Sequence, residues 1–147
     1  MLRMTAAPRV PRHVLALVMV YFIASLAHFV HNAEYIAFYP NMPGWLTREK
    51  VYLAWLGITC IGVAGLAVSR LGLHAVAAML ISVYGAFGLD GLAHYTLALC
   101  SEHTLATNVT IWSEAIAGLF LMLASALWLG RRLSRPSWVD SVPPTRK

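Results

Sequence analysis

Charged side chains are scarce in this 147-residue chain. Only 12% of the residues are Asp, Glu, Lys or Arg, and six are acidic, whereas 59% are hydrophobic. A soluble domain carries about 25% charged residues, so this composition excludes an ordinary soluble globular fold. The composition indicates an integral membrane protein.

Several common motifs are also absent. The chain contains no glycine-rich nucleotide loop, no Cys-x-x-Cys pair and no Gly-x-Ser-x-Gly elbow, which removes the signatures of three large enzyme classes. Only two cysteines occur, Cys60 and Cys100. Their expected depths in the membrane differ by about 13 Å, which exceeds the reach of a disulfide. We therefore expect two free, buried thiols.

Four apolar segments are long enough to span a bilayer, for which about 20 residues suffice. Turn residues separate them, and Thr47 and Ser101 are the predicted N-caps of the second and fourth helices. These features predict an all-α fold, an integral membrane four-helix bundle with up-down-up-down topology. The predicted spans are residues 14–38, 51–69, 73–99 and 105–129. A cytoplasmic segment, 1–13, precedes this single domain, 14–129, and a disordered cytoplasmic tail, 130–147, follows it.

The basic residues predict the orientation of the bundle. Nine of the 11 lysines and arginines fall on the side of the N-terminus, and the positive-inside rule then places both termini in the cytoplasm. We expect the membrane to be a bacterial inner membrane. The net charge of +5 reflects this bias and not a nucleic-acid surface, because the charges lie in short runs beside the predicted spans. The predicted partner is the lipid bilayer, with no nucleic acid.

The first apolar segment has an alternative interpretation as a cleavable signal peptide. Basic residues, an apolar run and the small-residue sequence "SLA" before His28 resemble such a peptide with cleavage after Ala27. The apolar run continues to Phe38, however, where proline-containing turns begin. This continuation favours a spanning helix.

The ionisable residues within the predicted spans gather toward one end of the bundle. With a rise of about 1.5 Å per residue, His28, Asp90 and Glu114 lie roughly 4 to 6 Å outside the membrane midplane. His31 and His94 form a second layer at about 9 to 12 Å, with Glu34 above it. Three helices can therefore direct oxygen and nitrogen atoms toward one internal point.

This pattern favours a metal site. Imidazole and carboxylate ligands from several helices are typical of zinc and of non-haem iron centres. The predicted metal ligands are His28, His31, Glu34, Asp90, His94 and Glu114. A metal there would activate water or oxygen, so the expected function is a metal-dependent oxidoreductase or hydrolase that acts on a lipophilic or small periplasmic substrate.

Two alternatives remain open from the sequence. His28 and His94 are candidate axial ligands of one b-type haem. The buried charges could instead pair with each other in a non-catalytic subunit of a homo-oligomer or of a larger membrane complex. Small residues on the second and third helices fit contact with another helix or packing inside the bundle, and these are Gly57, Gly62, Gly65, Gly85 and Gly88.

Replacing His28 or Asp90 with Ala is expected to abolish metal retention and to leave helix content unchanged, because each removes an inner ligand. Elemental analysis and a visible absorption spectrum of the protein in mild detergent test this prediction. Full metal retention in both variants would contradict the assignment of His28 and Asp90 as metal ligands. A Soret band in the absorption spectrum would favour haem.

Overall fold

A computed structural model describes residues 10–134, and this part of the chain is helical without strands. It contains four helices that are long and apolar enough to span a membrane, Arg12–Glu34, Arg48–Arg70, His74–Leu97 and Leu105–Leu133. The four predicted helices are thus confirmed. The ends of the predicted terminal segments, residues 1–9 and 135–147, lie outside the described residues.

The helices are named here in chain order. α1 is Arg12–Glu34, α2 is Arg48–Arg70, and the third span is composite. It consists of α3, His74–Ala86, a 3-10 segment, Phe87–Ala93, and α4, His94–Leu97. After a short 3-10 turn, Cys100–Glu102, the chain enters α5, Leu105–Leu133. A 3-10 run of seven residues is unusual within a long helix.

One of the two predicted N-caps is confirmed. The Thr47 hydroxyl accepts a hydrogen bond from the backbone N–H of Lys50 at 3.4 Å, at the start of α2. The prediction of Ser101 is wrong, because that residue belongs to a separate 3-10 turn. Thr104 caps α5 instead and accepts from the N–H of Thr107 at 3.1 Å. Both caps use the hydroxyl oxygen that a helix N-terminus requires.

Two helix ends differ from the predicted boundaries. α1 ends at Glu34, and a 3-10 turn, Ile36–Phe38, follows where the sequence predicts more of the span. This turn leads to Tyr39, which is buried although it lies beyond the helix. α5 continues to Leu133, four residues past its predicted end. The chain therefore folds back over the end of α1 sooner than predicted.

The third span packs tightly against α5 through glycines. Gly85, Gly88 and Gly91 occur at intervals of three, and residues three apart align on one side of a 3-10 helix. A Cβ atom added to Gly118 of α5 would lie 2.5 Å from the carbonyl oxygen of Gly85 and 2.8 Å from the Cα of Gly88. The two backbones thus approach too closely for any side chain at this crossing.

The glycines of α2 also face the bundle interior, with one exception. A Cβ at Gly62 would meet the ring of Tyr84, and one at Gly65 would meet Ile81. Gly57 has no atom within 4 Å of such a Cβ. Four of the five glycines considered from the sequence therefore pack inside the bundle, and Gly57 alone among them faces open space.

Gly118→Ala is expected to destabilise the fold by about 1–3 kcal/mol, because overpacking forces the backbones apart. Gly57→Ala is the matched control. A methyl group there meets no other atom, so this variant is expected to stabilise the fold by about 1 kcal/mol through the higher helix propensity of alanine. Unfolding in detergent followed by circular dichroism compares the two. Equal stability of both variants would contradict the close crossing.

Candidate functional site

A cavity of about 200 Å³ lies between α1, α2 and the third span, with α5 at its floor. Its walls are largely apolar, from residues such as Phe29, Val51 and Leu97. Five polar side chains line it, namely His28, Asn32, Asp90, His94 and Glu114. Four of the six predicted site residues therefore share one cavity.

His28 and Glu114 form the deepest polar pair of the cavity. Their side chains are almost completely buried, and His28 Nε2 lies 3.6 Å from Glu114 Oε2. The other ring nitrogen of His28 is 3.4 Å from the hydroxyl oxygen of Thr110. Neither carboxyl oxygen of Glu114 has a hydrogen-bond partner. A buried carboxyl group without a donor destabilises a protein, so its presence indicates a role other than stability.

Gly91 keeps the space beside this pair open. A Cβ atom at Gly91 would lie 3.2 Å from Glu114 Oε2 and 3.8 Å from His28 Nε2. Any larger side chain at this position would project toward the two reactive groups. The glycine therefore contributes to the shape of the cavity.

His94 lies beside His28. The two rings meet edge to face with centroids 5.4 Å apart, so no gap for a porphyrin separates them. Asn32 Nδ2 is 3.3 Å from His94 Nε2. When the amide donates in this contact, His94 carries its proton on Nδ1, and the carbonyl oxygen of Asn32 is left buried without a partner.

Asp90 lies at the rim of the cavity. Its side chain is exposed, and it also borders a surface groove of about 420 Å³ with Val83, Ala86, Phe87 and Leu89. The cavity and the groove share Phe87 and Asp90. Asp90 is therefore at the junction between the interior of the bundle and its apolar surface.

The remaining two predicted ligands lie elsewhere. His31 Nδ1 is 2.8 Å from the hydroxyl oxygen of Tyr39. Glu34 accepts a hydrogen bond from the Tyr52 hydroxyl at 2.6 Å and pairs with Arg48 at 2.8 Å on the surface. The structure therefore does not bring His31 and Glu34 to the other four residues.

The side chains that do share the cavity are not arranged as a closed metal site. Within residues 10–134, no three His, Cys, Asp or Glu side chains form a group that could hold a metal ion. Cys60 and Cys100 are free, as expected, but the prediction that they are buried is wrong, because both are exposed on the surface of the helical bundle. The metal site stays a prediction from the sequence.

Two residues outside the predicted ligand set, Tyr39 and His103, pack against His94 of the cavity wall. Tyr39 packs on His94 with ring centroids 5.0 Å apart and on His103 at 6.3 Å. Burial raises the pKa of Tyr39 to about 12, so its hydroxyl stays protonated at neutral pH. Both ring nitrogens of His103 are buried without partners. The prolines after Tyr39 were the one signal in the sequence that the chain turns back here.

Comparison of the chain with protein-family models, curated proteins and solved structures found no match. The helices and the cavity define the class of protein. Residues 10–134 form four helices long and apolar enough to cross a membrane, and a largely apolar cavity with five polar side chains lies between them.

Glu114→Leu is expected to stabilise the protein by about 1–3 kcal/mol, because it replaces an unpartnered buried carboxyl group with an apolar side chain of similar size. Thermal unfolding in detergent measures the change. Glu34→Leu is the comparison, since an exposed ion pair contributes at most about 1 kcal/mol. A loss of stability in Glu114→Leu would mean that the pair with His28 is structural, as in a non-catalytic subunit.

Proposed function

We propose that this chain is an inner-membrane protein whose cavity binds a small lipophilic substrate and moves a proton on it. In this proposal the helices alternate in direction, and both termini are cytoplasmic, as the distribution of lysine and arginine favours. The cavity then opens in the outer half of the membrane. Its largely apolar wall with a few polar groups is typical of sites for small molecules.

The observation that carries the proposal is the buried pair of His28 and Glu114. Imidazole and carboxyl groups are the usual acids and bases of enzymes. Thr110 contacts the far side of the His28 ring and orients it, as a third group commonly does for a catalytic base. A separation of 3.6 Å is long for a hydrogen bond, and such contacts often tighten only when substrate binds.

Isomerisation is the reaction class that requires the fewest groups or reactants in addition to His28 and Glu114. One group of the pair removes a proton from a substrate atom, and the pair returns a proton to another atom of the same molecule. A double bond of the substrate shifts its position between these two atoms, and the substrate neither gains nor loses atoms or electrons overall. No oxidant, water or second substrate is consumed.

A metal-dependent reaction is the second candidate. Two ligands of a tetrahedral zinc ion, with bonds of about 2.0–2.2 Å, lie roughly 3.4 Å apart, close to the distance between His28 and Glu114. Asp90 or His94 would have to move to supply a third ligand. A bound zinc or iron ion would then activate water or oxygen, as expected from the sequence.

Deuterium labelling tests the proton transfer without a known substrate. The purified protein is incubated with a membrane lipid extract in D₂O, and mass spectrometry detects molecules that gain deuterium. We expect labelling with the native protein and with Glu34→Gln, and loss of labelling with Glu114→Gln, because only Glu114 contacts the cavity.

The native protein and its variants also distinguish the isomerase from the metal-dependent enzyme. No Glu114-dependent labelling would contradict the isomerase proposal. One metal ion per chain by elemental analysis, lost in both His28→Ala and Glu114→Gln, would favour the metal-dependent enzyme in its place.

A further inference from the structure

The cavity adjoins a groove on the apolar surface of the bundle. Phe87 and Asp90 line both the groove and the cavity that contains Glu114. Its other walls, Val83, Ala86 and Leu89, are apolar. A molecule with a polar head and an apolar tail could therefore place its head in the cavity and its tail in the groove.

Three of the polar groups that line the cavity have acceptor oxygens. Glu114 has two unpartnered oxygens, and Asn32 has a buried carbonyl oxygen without a donor. Asp90 adds an exposed carboxylate at the rim. Three acceptor groups therefore line the cavity, and the buried oxygens of Glu114 and Asn32 have no donor.

No lysine or arginine of the described residues balances these acids. The six basic side chains between residues 10 and 134 lie at the helix ends, as Arg12, Arg48, Lys50, Arg70, Arg131 and Arg132. Within this range Arg48 forms an ion pair with Glu34, and the contact of His28 with Glu114 is a charge pair only when the imidazole is protonated. An ionised acid within a membrane destabilises the protein unless a cation or hydrogen-bond donor pairs with it.

We infer that the site takes a lipophilic amine, whose ammonium group lies between Asp90, Glu114 and Asn32 and whose apolar tail occupies the groove. This inference rests on the proposed function, since it names the class of its substrate. An alkylammonium group has three N–H donors and one positive charge, which match the three acceptors and the missing cation. Phe29 and Phe87 in the cavity wall add aromatic faces that attract cations.

Octylamine and 1-octanol are a suitable pair of probes, because they have the same tail and differ in charge at neutral pH. Binding is measured by calorimetry with the protein in phosphatidylcholine nanodiscs, and empty nanodiscs correct for partitioning into lipid. A charge-assisted hydrogen bond contributes about 1.5–3 kcal/mol, so we expect octylamine to bind at least about tenfold more tightly. Asp90→Asn is expected to remove most of this preference and to retain octanol binding.

Gly91→Leu provides an independent variant, because its side chain projects toward Glu114 and fills the cavity. It should abolish binding of both probes, whereas Gly57→Leu, at a position with open space, should bind both as the native protein does. This pair of variants distinguishes occupation of the cavity from adsorption to the surface.

The outcomes separate the inference from the proposed function. Binding of both probes that depends on Gly91, without preference for the amine, would overturn the inference and leave the cavity as a substrate site. A preference that persists in Asp90→Asn would also overturn it. Absence of any Gly91-dependent binding would contradict the substrate site itself. Displacement of octylamine by one zinc ion per chain would overturn the inference and identify the acceptor groups as metal ligands.

Discussion

The close crossing of the third span and α5 is the constraint on which the site depends. Gly85 and Gly88 contact Gly118 so closely that no side chain fits between the backbones. Glu114 lies one helical turn from Gly118 and therefore shares its side of α5. The side of α5 that contacts the glycines therefore includes Glu114, whose carboxyl group lies next to Gly91 and His28 in the interior. Without this crossing, the acid would lie farther from its histidine partner.

The polar groups of the bundle fall into two energetic classes. Glu34 has the partners that a surface carboxylate needs, a hydroxyl group and a guanidinium group. Glu114 and the carbonyl oxygen of Asn32 are buried and lack such partners. Groups of the second kind reduce stability, and they persist in proteins where binding or chemistry requires them. Their common position on one cavity is the strongest physical argument that this cavity is functional.

The 3-10 segment, Phe87–Ala93, determines how Asp90 and His94 relate to the cavity. In a regular α-helix, residues four apart lie on nearly the same side. A 3-10 helix turns by about 120° per residue, so the two side chains separate. His94 is buried beside His28, whereas Asp90 reaches the rim and the surface groove. The spacing of three residues between Gly88 and Gly91 fits this conformation, because it keeps both glycines on the side that meets α5 and the cavity.

The sequence by itself determined the four helices, their approximate bounds and the gathering of polar residues near one end. These properties follow from local composition, because twenty apolar residues and a capping hydroxyl specify a helix without reference to the rest of the chain. Four of the six predicted site residues share the cavity because their depths along the three helices are similar, and the rise per residue predicts those depths. Only the tertiary structure decided that His31 and Glu34 lie outside it, that Tyr39 and His103 pack on His94, and that Gly91 lines it. These positions depend on how each helix rotates against its neighbours and where the chain turns back. Contacts such as that of His28 with Thr110, 82 residues apart, leave no local pattern in the sequence.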